Sequence, residues 1–217
     1  VQHNNTPAYL SLSEGLKEQG VIFTDIFTAS REHGELVKKY FMTDGVKVDE
    51  HKLTALHAAL LNGGVFVYVP KNVVVEEPLQ VLFLHDDAQA SLFNHVIVVA
   101  EKNSSVTYVE NYLSTIEEAK GLVNIVSEVF TGDNAKIVYG AVDVLAEGFT
   151  TYVNRRGVTG RDSRIEWALG LMNDSDTISE NITHLVGDNS SCDMKTVVVG
   201  RGSQRQNFTS EIVHWGL

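Results

Sequence analysis

The stretch VVVGRGSQ, residues 197–204, has the residue types of a phosphate-binding loop. A β-branched run leads into a Gly-x-Gly turn through Gly200 and Gly202, and many nucleotide sites begin this way. A phosphate cradle also needs the loop to run into a helix whose N-terminal amides face the anion. The residues that follow, QRQNFTSEIVHW, alternate like a strand instead. The expectation is therefore a corner whose glycines supply positive φ. A nucleotide- or small-molecule-binding protein built on this loop is disfavoured.

The other candidates for chemistry are single residues. Cys192 is the sole cysteine. It excludes an intramolecular disulfide and a Cys-based metal cage, and it suits a reducing cytoplasm. A thiolate there could carry a persulfide or ligate iron, yet a lone Cys after a turn reads first as a packing residue. His51 and His57 are not at the i, i+4 spacing of a zinc pair and read as surface or packing residues. His95, His184 and His214 each fall in or beside a β-rich run, and a lone histidine does not define a ligand set. Arg155, Arg156, Arg161 and Arg164 form the one dense basic patch, read as solvated turn charges. Asp133 precedes Arg161, and Asp162 precedes Asn189, by a similar step. They lie in turns and make no ladder of carboxylates of the kind a β-helical polysaccharide-cleaving enzyme needs. No catalytic, cofactor-binding or metal-ligating residue is assigned, and a carbohydrate-active enzyme or an unrelated binding solenoid stands as the alternative.

Composition narrows the partners. A net charge of -11 disfavours general binding to nucleic acid or to anionic lipid. The N-terminus VQHNNTPAYL lacks the basic-then-apolar pattern of a signal peptide, and no apolar run is long enough to span a bilayer. The Asn-x-Ser/Thr triplets at Asn103, Asn181 and Asn207 then read as chance matches. The expected location is the cytoplasm. The chain opens at Val1 rather than Met and ends at VHWGL, which reads as a piece of a longer protein.

Two regions must position these residues. Residues 1–61 read as helical. SLSEGLKEQG offers Ser11 or Ser13 as N-cap and Gly20 as stop; SREHGELVKKYF starts at Ser30; DEHKLTALHAALLNGG starts at Asp49 and ends at Asn62 and Gly63. From 62 to 217 the helix signal vanishes, and runs such as VFVYVP, HVIVVAE, AKIVYGAVDV and SRIEWALGLM follow one another. NYLSTIEEAKG at 111–121 is the polar interruption, read as a longer loop or a single helical turn. The corners resemble one another: TGDNAK at 131, TGRDSR at 159, LVGDNSS at 185. Strand starts fall roughly every 14 residues, so about 28 residues return the chain to an equivalent point, the mark of a repeat architecture. Scarce hairpin signals favour a right-handed parallel β-helix over a meander. One coil apart, Ile137 stacks on Ile165, Tyr139 on Trp167 and Ala141 on Leu169.

Three stretches carry a resemblance: LNGGVFVYVPKNVVVEEPLQVLF, FNHVIVVAEKNSSVTYVENY and CDMKTVVVGRGSQRQNFTSEIVHWG. They resemble the β-helical core of the SufB/SufD family, scaffold subunits of the SUF iron–sulfur cluster assembly machinery. DSRIEWALGL and NFTSEIVH resemble the SufD branch more than the SufB branch. The resemblance implies a scaffold that is not an enzyme. Its implied partners are a SufB paralogue, the SufC ATPase through a C-terminal helical region beyond this chain, and indirectly a sulfur-delivering desulfurase system. A second copy of the chain is a further partner. No cofactor is expected on this chain itself, and an iron–sulfur cluster would be held transiently in the full complex. The core, residues 62–217, is expected to be cut short at its C-terminus, before the ligand candidates of the family.

Overall fold

The computed structural model describes residues 1–116 and 118–217. Its N-terminal part runs β1 (Gln2–His3), β2 (Thr6–Pro7), α1 (Glu14–Glu18), β3 (Ile22–Asp25), α2 (Ile26–Glu32), α3 (Gly34–Tyr40) and α4 (Lys52–Leu60). Strands then follow without another helix among the described residues: β4 (Gly63–Val69), β5 (Leu79–His85), β6 (Leu92–Ala100), β7 (Ser105–Ser114), β8 (Glu118–Thr131), β9 (Lys136–Val144), β10 (Glu147–Thr159), β11 (Arg164–Leu171), β12 (Asp176–Leu185), β13 (Ser191–Val198) and β14 (Gln206–His214).

Alternate strands go to opposite sheets. One sheet has the order β14-β12-β10-β8-β6-β4-β3, the other β13-β11-β9-β7-β5-β1-β2. From β4 onward every pairing is parallel, each strand lying on its equivalent one coil away. The protein is therefore a parallel β-solenoid. Antiparallel pairing among the described residues is confined to its N-terminal end: β1 and β2 form a hairpin, and β3 pairs with β4 across the intervening helices α2, α3 and α4.

The register follows from period-2 alternation. In β9 every second residue from Ile137 is buried, and the solvent-side residues between are not. Ile165 lies on Ile137, Trp167 on Tyr139 and Leu169 on Ala141, as the sequence predicts. A slip by one residue would turn all of these outward. Burial of such columns drives folding at about 25 cal/mol per Å² of apolar area. Aromatic rings continue the column, with centroids 5.1 Å apart from Tyr108 to Tyr139 and 4.9 Å from Tyr139 to Trp167.

β6 is buried along its whole length because both faces are covered. Val96 and Val98 point into the solenoid. Ile97 and Val99 pack outward against Ile26 and Ala29 of α2 and Val37 and Tyr40 of α3. The helices thus form a layer over the outer face of one sheet.

The corners differ in detail from the expectation. Positive φ at the repeated corners is taken by Asn72, Asn103, Asn134, Asp162 and Asn189, the last three following Gly132, Gly160 and Gly187 by two residues, and only at the GRG corner by a glycine, Gly202. Asn and Asp tolerate this conformation better than other side-chain-bearing residues. The corner glycines serve close approach. A Cβ on Gly187 would lie 2.1 Å from the backbone of Gly160 one coil away, and Gly132 and Gly160 occupy the same place in earlier coils. The left-handed residues stack as a ladder: Asn103 Nδ2 donates to Asn72 Oδ1 at 2.9 Å and Asn134 Nδ2 to Asn103 Oδ1 at 3.0 Å.

The N-terminal region also departs from the helical expectation. It adds β1 and β3 to the two sheets. The segment from Ser30 is two helices: Asp25 caps α2 by accepting from the amides of Phe27 and Thr28, and His33 divides it from α3. α4 is capped by His51 rather than Asp49, and Gly63 opens β4. The stretch 111–121 is mostly strand, since β7 reaches Ser114 and β8 begins at Glu118. The residue at 117 lies outside the described residues.

Candidate functional site

The GRG loop is a corner. Gly202 has φ 54°, and the chain continues into β14. Its polar groups are engaged locally: the Arg201 amide donates to Gln204 Oε1 at 3.2 Å, and the Arg201 guanidinium to Asp174 Oδ1 at 3.0 Å. The adjoining groove mixes Glu147, Asp174 and Asp176 with Arg201 and Arg205. Carboxylates in that number repel an anion rather than cradle it.

The arginine patch is not a patch of solvated charges. Adjacent residues of a strand face opposite ways, and β10 sends Arg155 into the solenoid and Arg156 under the helical layer. Arg155 is 0 % exposed and donates to Asp143 Oδ1 at 2.9 Å and Glu110 Oε1 at 3.3 Å, both carboxylates also fully buried. Arg156 is 5 % exposed and pairs with Glu50 Oε1 at 2.6 Å and the Gly45 carbonyl at 3.3 Å. Only Arg161 and Arg164 of the four face solvent. Burial raises the Glu110 carboxyl above its ordinary value, and the Arg155 charge opposes that rise. Sequence pattern held one signal for this: RR sits inside a β-rich run that must bury one of its two faces.

Cys192 faces inward, in register with Ile165, and packs against the core. Burial pushes its thiol up from the ordinary value, which disfavours a reactive thiolate. The histidines separate. His184 lies on the outer face of β12, 6.4 Å edge-on from Trp215, and burial lowers it. His214 is exposed at the end of β14. His51 accepts from the Leu53 amide at the start of α4. His57 and His95 are both fully buried and lie 3.0 Å apart, Nε2 to Nδ1, a contact with no counterpart among the motifs of the chain. Asp133 Oδ1 accepts from the Arg161 amide at 3.2 Å, and Asp162 Oδ1 from Asn189 Nδ2 at 2.8 Å, so these residues serve corner stacking. Among the described residues no group of three or more His, Cys, Asp and Glu is placed to hold a metal ion.

β13 and β14 each pair on one side only within the described residues. Unlike β11 and β12, neither has a buried residue, because no coil follows them within the given sequence. Val197, Ile212 and Trp215 are exposed there for the same reason.

The fold defines a class: a parallel β-solenoid with its candidate chemical residues absorbed into packing and corners. The comparisons define it further. Residues 83–216 match the family model described as SUF system FeS cluster assembly, SufBD core domain, and residues 4–81 match the SufBD protein N-terminal region. The chain belongs to the SufBD family. It is 67% identical over 217 residues, 100% of its length, to the iron-sulfur cluster assembly protein SufD of Bacillus subtilis, covering 50% of that protein. It is 27% identical over 213 residues to iron-sulfur cluster assembly SufBD family proteins of Staphylococcus saprophyticus and Staphylococcus aureus, covering 98% of this chain and 46% of each relative. The chain thus spans about half the length of the curated relatives it matches. No described helix is long and apolar enough to cross a membrane.

Proposed function

We propose that this chain is the N-terminal helical layer and the first coils of a SufD-type scaffold in iron–sulfur cluster assembly. The observation that carries the reading is the 67% identity to the Bacillus subtilis SufD, sustained from the first residue to the last.

The scaffold reading assigns no catalytic residue to this chain. Its natural partners are a SufB paralogue at a strand edge and the SufC ATPase through a region outside residues 1–217, with sulfur arriving from a desulfurase system and the cluster as transient cargo. A second copy of the chain is a further candidate partner. Residues 1–61 act as a helical layer on the core of residues 62–217, and the location is the cytoplasm. Deleting the gene for the full-length protein from its host tests the reading. The expected result is loss of activity in iron–sulfur enzymes such as aconitase, restored by the wild-type gene. Unchanged iron–sulfur enzyme activity, in a host with no second assembly system, would refute it.

A further inference from the structure

A buried chain of side chains joins the helical layer to the sheet. Glu128 on β8 lies 2.8 Å from His95 Nε2 on β6; His95 Nδ1 lies 3.0 Å from His57 Nε2 on α4; His57 Nδ1 lies 3.1 Å from Asn124 Oδ1 on β8. All four residues are fully buried. Each end of the chain is an acceptor. The Glu128 carboxylate already receives the Met42 amide at 2.8 Å and the Val46 amide at 2.9 Å. Asn124 must present its oxygen to His57, because its Nδ2 donates to the Leu53 carbonyl at 2.9 Å. Turning the amide over would bring two oxygens together at Leu53.

The hydrogen count is then decisive. A neutral imidazole has one N–H. Two neutral imidazoles supply two hydrogens for three contacts whose outer ends are both acceptors. One contact would be left as acceptor against acceptor in a water-free interior, a costly arrangement. Three N–H groups satisfy all three contacts: Nε2 of His95 to Glu128, Nδ1 of His95 to His57, and Nδ1 of His57 to Asn124.

We propose that the imidazole pair His57–His95 carries one proton beyond its two neutral rings, and that this proton latches α4 and the 42–46 segment onto the sheet. Contact with the Glu128 carboxylate places both N–H groups on His95, making it the imidazolium. The Met42 and Val46 amides fix the Glu128 oxygens as acceptors facing His95. His57 is the neutral ring, since burial, then the nearby His95 charge, lowers it to about 3. The other groups facing the chain are the Phe41 ring, 4.5 Å from His95; the Phe93 ring, 6.5 Å from His57; and Arg156, in register with Glu128 but paired to Glu50 and Gly45. No second carboxylate among these contacts competes for the proton.

Nitrogen-15 NMR of the histidine-labelled full-length protein at pH 7.5 tests this. Three slowly exchanging imidazole N–H groups are expected across His57 and His95, two of them on His95. A count of two overturns the proposal.

Discussion

Asn189 donates from Nδ2 to Asp162 Oδ1 at 2.8 Å, one coil away, and both residues hold left-handed backbone. The corner that gives the solenoid its pitch is thus a stack of polar side chains, with a flaw at Asp162. A carboxylate accepts from Asn189 but has no hydrogen to pass on to Asn134.

Asp162→Asn should repair the ladder. The new Nδ2 can reach Asn134 Oδ1 as Asn134 reaches Asn103. The gain should be about 0.5–1.5 kcal/mol, the net worth of one hydrogen bond. A urea midpoint unchanged or lower in D162N would show that the stack does not act as a chain of side-chain bonds.

Gly64→Ala should be severe. Gly64 has φ 139°, and a Cβ there would lie 1.9 Å from the His95 carbonyl oxygen. Neither the conformation nor the neighbouring backbone can yield cheaply. Loss of about 3 kcal/mol or more, or of soluble protein, is expected in thermal unfolding. Wild-type stability in G64A would mean that the first coil is not stacked as described.

Arg155→Ala should cost about 3–5 kcal/mol, because it strands the Asp143 carboxylate without a cation in the interior. Asp143→Ala should cost a similar amount by stranding Arg155. Denaturant titration would give near-additive losses in the double variant if the two did not interact; the account expects the double variant to lose far less than the sum.

The buried Glu110 sets a pH slope. Its carboxyl is raised in the folded state, chiefly by burial, from an ordinary value of 4.5. The folded protein therefore binds this proton more tightly than the unfolded chain. That contribution is fully present below the ordinary value and is lost as pH rises through the folded one. Glu110→Gln should flatten this part of the stability profile above pH 4.5, measured by urea midpoints across pH. His57 acts on the acid side. Lowered to about 3 from 6.5, it adds stability above 6.5 that is lost as pH falls toward 3. An identical pH profile in E110Q and wild type would show that the Glu110 proton is not linked to folding.

The solenoid was legible because its physics is periodic. Ile137, Tyr139 and Ala141 recur as Ile165, Trp167 and Leu169 one coil apart, so the repeat itself sets the register. What stayed hidden depends on single contacts at long range. Arg155 and Arg156 look like surface charge until β10 places one beside Asp143 and the other beside Glu50. The His57–His95 contact joins a helix to a strand 38 positions away, and neither residue has a local pattern that announces it. The corner glycines were visible, but their cause was not. Close approach between coils, as at Gly187, is a property of the stack and not of the turn sequence.

Co-purification of the full-length protein from its host, through a tag and at native expression level, tests the central claim most directly. The account predicts that a SufB paralogue and a SufC-type ATPase accompany it. Recovery of the tagged protein free of both, under conditions that keep other native complexes intact, would contradict it.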